Sequence, residues 1–132
     1  MSWIKTIPYA EATGRLQKLY ERVKGPDDNV DNIMMAHSLR PHSMEAHMGM
    51  YKKVLHHTSN SLPKWYLEAI GVYVSWLNEC HYCVQHHFEG LVTELDGLRS
   101  KADLIKSSFS EGDFSSAVST REAAGLKYAG LL

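Results

Sequence analysis

Cysteine is nearly absent from this sequence: two in 132 residues, at positions 80 and 83. A disulfide framework needs several cysteines spread widely enough to tie distant loops together. A bond between residues three apart closes almost no loop and contributes little to stability. In a reducing compartment such a pair points instead to redox chemistry or metal binding. Long apolar runs are also missing. The longest strictly apolar stretches lie inside AIGVYVSWL, residues 69–77, too short to span a bilayer. The N-terminal MSWIKTIPYAEA lacks the apolar run of a secretory signal. A cytoplasmic protein with no membrane partner is the expectation. Charge of one sign is lacking too: the net charge is −1, with no basic excess to bind nucleic acid and no acidic tail. Strand-like alternation and hairpin dipeptides do not occur, so no sheet is expected.

What is present is helical spacing. Apolar residues make up 44% and charged residues 22% of the chain, enough for an ordinary globular core. With no repeat and no composition break, one domain over residues 1–132 is expected. Its class is all-α, a compact arrangement of about six to seven helices. Pro8, Pro41 and Pro63 each precede a helical stretch, as first-turn prolines do. The first helix is expected from Pro8 to Lys24, with Leu16, Leu19, Tyr20 and Val23 as its apolar stripe and Gly25-Pro26 as its stop. After the polar turn PDDNVDN, a short helix follows from Asn32 to Leu39. A third runs from Pro41 to His57 with Met44, Met48, Tyr51 and Leu55 on one face. The fourth, from Ser61 and Pro63 to Leu77, is apolar nearly all round and is expected to be the buried central helix. The fifth starts near Cys80 and runs to Leu95, with Gly97 just past its end. Ser100 with Asp103 reads as a capping box for a sixth helix reaching Ser108, and Ser119 with Glu122 as a second box for a helix running to the chain end. Met34, Met35, Met44, Met48 and Met50 are assigned to core packing.

The chemistry concentrates in LNECHYCVQHHFEGL. His87 follows Cys83 by four residues, one helical turn, where an imidazole can take or share the thiol proton. The thiolate is the reactive form, and a free cysteine near neutral pH is mostly protonated. Both cysteines fall at the start of a helix, where unsatisfied N–H groups favour negative charge. A thiolate that meets a peroxide becomes a sulfenic acid, and a neighbouring thiol condenses with it to a disulfide. Glu68 enters through geometry. On one straight helix it would lie roughly 18 Å from Cys80. If the fourth and fifth helices fold back near residues 77–78, Glu68 and His87 lie at matched distances from the bend. Glu68 then orients His87 in the manner of a triad acid. The relay reads Glu68, His87, Cys83, Cys80, with Cys83 attacking and Cys80 resolving. Structural zinc is an alternative through Cys80, Cys83, His86 and His87, although adjacent helical residues point about 100° apart. Haem attachment fails because Val84, not histidine, follows Cys83. His37, His42, His47, His56 and His57 are read as surface or core residues. Trp76 and Tyr82 flank the dithiol, either as ordinary packing or as an apolar mouth for an organic hydroperoxide.

Glu68, Cys80, Cys83 and His87, in the spacing E-x11-C-x2-C-x3-H, resemble the alkyl hydroperoxidase D family of the carboxymuconolactone decarboxylase superfamily. The upstream AHSLRPHSMEAH resembles its peroxidase-related branch. The similarity covers roughly residues 30–95. It implies an all-helical fold, reduction of alkyl hydroperoxides or hydrogen peroxide through a CxxC dithiol without a further cofactor, regeneration by a dithiol reductant or reductase protein, and assembly into dimers, trimers or hexamers. It carries Glu68, Cys80, Cys83 and His87 over as the catalytic set. Tyr82 stands where well-studied members have a histidine, which here sits one earlier as His81. A phenol there can donate a hydrogen bond but is a poor base near neutrality. Members of the branch continue through further helices, so the chain reads as short at its C-terminus. The Leu126, Tyr128, Leu131 and Leu132 end is expected in or near a subunit contact. Two alternatives stand beside this reading: a dithiol–disulfide oxidoreductase and a non-enzymatic, zinc-stabilised helical assembly module.

Overall fold

A computed structural model describes residues 3–25 and 28–132. Among them all regular structure is helical: α1 Gly14–Val23, α2 Asn32–Met35, α3 Pro41–His56, α4 Lys64–Leu77, α5 His81–Glu94, α6 Arg99–Glu111 and α7 Thr120–Ala129, preceded by a 3-10 turn at Tyr9–Glu11. No described helix is long and apolar enough to cross a membrane. Packing divides the chain into two compact units, Met1–Val54 and Leu55–Leu132.

In the first unit the expected opening helix is interrupted. Pro8 starts only the 3-10 turn; Ala12 and Thr13 are extended, and Gly14 takes φ +56°. That conformation suits glycine and breaks the helical path, so the α-helix starts only at this residue. Pro26, half of the expected stop, lies outside the described residues. The second helix is also shorter than its spacing suggested. Hydrogen bonds tighten to i→i−3 at His37, Ser38 and Arg40, as the chain approaches Pro41, whose ring disfavours helical conformation in the residue before it. Leu16, Leu19 and Tyr20 bury against Val30, Met34 and Met44, with Met35 and Met48 packed alongside. Met50 is not core: it is 64% exposed, because six residues on from Met44 it is turned about 120° away from it around α3.

In the second unit α4 packs against α5, α6 and α7, and α5 also meets α6. The core joins Tyr66, Val72 and Tyr73 of α4 to Phe88 and Leu91 of α5, Ile105 and Phe109 of α6, and Leu126 of α7. α4 is central but not covered all round, since Val74, Trp76 and Leu77 near its end are exposed. The turn into α5 has no free loop. Glu79 N–H donates to Trp76 O and Cys80 N–H to Ser75 O, both at 3.0 Å, the paired bonds of a Schellman cap with Glu79 in the left-handed position at φ 54°. α5 ends the same way through Asp96 at φ 55° and Gly97. The chain leaves that cap straight into α6, capped by Leu98 with no side-chain hydrogen bond. The expected Ser100–Asp103 box therefore does not form, because Ser100 already lies inside the first turn, and α6 runs on to Glu111, where Gly112 at φ 66° stops it. The Ser119–Glu122 box does form, and α7 ends at Ala129.

Candidate active site around the dithiol

Cys80 is the N-cap of α5 and Cys83 lies in its first turn. The two are joined as a disulfide, with Cα atoms 5.4 Å apart, and both residues are half-buried. The first-turn N–H groups have no intrahelical partner, so the helix end favours negative charge on a sulfur placed there. In reduced form the pair would meet the requirements for a reactive thiol: access, a neighbouring thiol and a polar helix terminus.

The reversal between α4 and α5 brings Glu68 and His87 together, as the matched distances from the bend require. His87 Nδ1 lies 2.8 Å from Glu68 Oε2. The side chains are 20% and 6% exposed, respectively. With Glu68 as a carboxylate, which only accepts hydrogen bonds, the ring hydrogen of this contact would sit on Nδ1. The lone pair then falls to Nε2, on a residue one turn along the same helix from Cys83.

Two glycines not singled out from the sequence make this contact possible. A Cβ on Gly71 would sit 2.7 Å from His87 Nδ1, and one on Gly90 would sit 2.9 Å from Glu68 Cδ. The arrangement is reciprocal. Each glycine lies three residues after the acid or the base on its own helix and clears space for the partner arriving from the other helix. A signal was available: glycine inside a helix costs about 1 kcal/mol relative to alanine, so an internal glycine suggests close approach.

Tyr82 is 41% exposed and its ring stacks on His86 at 6.1 Å. Among the described residues its hydroxyl has no hydrogen bond, and it does not join the Glu68–His87 pair. His86 presents its ring at 79° to that of His87. No three His, Cys, Asp or Glu side chains among the described residues converge where a metal ion would fit. In the first unit, the His37 and His47 rings lie 5.0 Å apart. Burial, with the neighbouring His37, pushes His47 below its ordinary pKa.

Among the hollows of the second unit, two border α4. The larger, about 830 Å³, runs between α4 and α7 past Ile70, Val74 and Tyr128 and touches neither cysteine. The smaller, about 660 Å³, is lined by Trp76, Leu77, Glu79, His81, Val84 and Lys106. Neither cysteine lines it either, but Glu79 and His81, the chain neighbours of Cys80, and Val84, that of Cys83, do. Lys106 comes from α6, and nothing in its local sequence marks it. Comparison with protein-family models, curated proteins and solved structures finds no match to this chain.

Proposed function

We propose that the chain is a thiol peroxidase that reduces organic hydroperoxides or hydrogen peroxide through the Cys80–Cys83 couple. The observation that carries this reading is the part-buried Glu68–His87 hydrogen bond one turn from a CxxC pair at a helix start. In the reduced protein, His87 Nε2 accepts the Cys83 proton while Glu68 holds Nδ1–H and balances the imidazolium charge. The Cys83 thiolate attacks one peroxide oxygen. The O–O bond breaks, the alcohol leaves with a proton from His87, and Cys83 becomes a sulfenic acid. The Cys80 thiol displaces the sulfenic oxygen as water and closes the disulfide. An external dithiol returns the couple to the reduced state by exchange.

Mass spectrometry of reduced protein before and after stoichiometric cumene hydroperoxide tests this. Loss of two hydrogens, and a single added oxygen on Cys83 in a Cys80→Ser variant, is the expected result. A protein inert to peroxide but oxidised by a small disulfide would be a dithiol–disulfide oxidoreductase instead. Exposed Val74, Leu77, Tyr128, Leu131 and Leu132 support a homo-oligomer. Light scattering at a multiple of 14.9 kDa is the expected reading.

A further inference from the structure

We propose that the cleft beside the dithiol selects hydroperoxides that carry a carboxylate on an apolar body, with Lys106 as the anchor; this rests on the thiol-peroxidase reading. Three walls of the cleft, Trp76, Leu77 and Val84, are apolar, and Trp76 and Leu77 are exposed there rather than packed away. Such a surface suits a hydrocarbon chain. Hydrogen peroxide makes no use of it.

The charge requirement comes from comparing the two cations over Phe88. Arg99 lies 5.5 Å from the ring centroid and Lys106 4.8 Å. Arg99 also holds a carboxylate, Glu89, at 2.8 Å. Lys106 is half-buried and has no carboxylate within ion-pair distance among the described residues. Glu79 shares the cleft wall but does not pair with it. Lys106 lines the cleft and carries an ammonium with no carboxylate partner among the described residues, so a ligand's anionic group can pair with it. With the carboxylate on Lys106 and the chain along Trp76 and Val84, the peroxide end would lie toward Glu79 and His81, the residues on either side of Cys80 in the chain. The reaction remains balanced: ROOH and two thiols give ROH, water and the disulfide.

The test uses reduced protein, linoleic acid hydroperoxide below its micelle concentration, the methyl ester of the same hydroperoxide, and hydrogen peroxide. The second-order rate of dithiol oxidation should be about tenfold higher for the acid than for the ester, the range a charge-assisted hydrogen bond supplies. Lys106→Gln should bring the acid-to-ester rate ratio down to about one, and Lys106→Arg should restore the preference. Equal rates for acid and ester in the unaltered protein, or equal slowing of all three oxidants by Lys106→Gln, would overturn the proposal. If hydrogen peroxide and cumene hydroperoxide also leave the thiols untouched, the peroxidase reading falls with it. If they oxidise the thiols, only the carboxylate preference falls.

Discussion

Two seams run along α4, and glycine closes both. On the side facing α5, Gly71 and Gly90 make room for a hydrogen-bonded carboxylate and imidazole. On the side facing α7, Gly125 and Gly130 make room for phenol hydroxyls. A Cβ on Gly125 would collide with Tyr66 Oη, and one on Gly130 would lie 2.7 Å from Tyr73 Oη. Tyr66 Oη donates to Glu122 O at 2.8 Å, a contact fully accounted for by helix docking. In the first seam each helix contributes one glycine and one ionisable group. In the second, α7 and its C-cap contribute the two glycines, Gly125 and Gly130, and α4 both tyrosines. Close helix approach alone therefore does not mark a reactive site; the buried ionisable pair distinguishes the α5 seam.

The largest effect should come from splitting that pair. His87→Ala leaves Glu68 buried without its partner, a loss of roughly 3–5 kcal/mol in unfolding free energy by analogy with broken buried pairs. The double variant Glu68→Leu with His87→Leu should recover most of it in urea titrations while leaving the thiols slow to alkylate. A double variant as unstable as the single one would show that packing, not charge, holds the seam.

Gly90→Ala and Gly71→Ala should come next. Crowding a packed contact costs about 1–3 kcal/mol, partly offset by about 1 kcal/mol of helix propensity. Both substitutions should also slow alkylation of the reduced dithiol, because the ring must tilt away from the acid. Gly125→Ala meets the same steric penalty against Tyr66 and should lower the thermal midpoint without changing alkylation rates. If Gly125→Ala slows the thiols as much as Gly90→Ala does, the distinction between the seams is lost.

The smallest effect is the pH response of the α7 seam. Burial, reinforced by the nearby Glu122 charge and opposed by Arg121, raises the Tyr66 hydroxyl above its ordinary value of 10.0. A raised folded value means its contribution is complete below the unfolded value and is lost as pH rises through the folded one. Tyr66→Phe should be less stable than the parent at pH 8, and the difference should shrink above pH 10. A constant difference across that range would argue against a role for ionisation.

The elements that could be read from the sequence were those with local causes. The Ser119–Glu122 box forms because both bonds lie within one turn. The α4–α5 reversal was readable because Asn78-Glu79 interrupts two apolar stretches, and it fixed the meeting of Glu68 with His87. The failures had longer-range or competing local causes. Ser100 with Asp103 matches a capping pattern, yet the Schellman cap ending α5 feeds α6 from Leu98 and pre-empts it. Met50 looked like its neighbours until the face of α3 was fixed. Lys106 reaches the cleft only through packing of α6 on α5, which no local pattern encodes.

Cys80 is wired into two circuits at once. Its N–H closes α4 through Ser75 O, and its C=O opens α5 by accepting from Val84 N–H at 2.9 Å. A change in the sulfur's bonding alters the torsions open to that residue, and both helix ends are tied to them. The state of the couple is thereby written into the backbone. The exchange rates of the Cys80 and Val84 amides should serve as a gauge of oxidation, with no dye or substrate added.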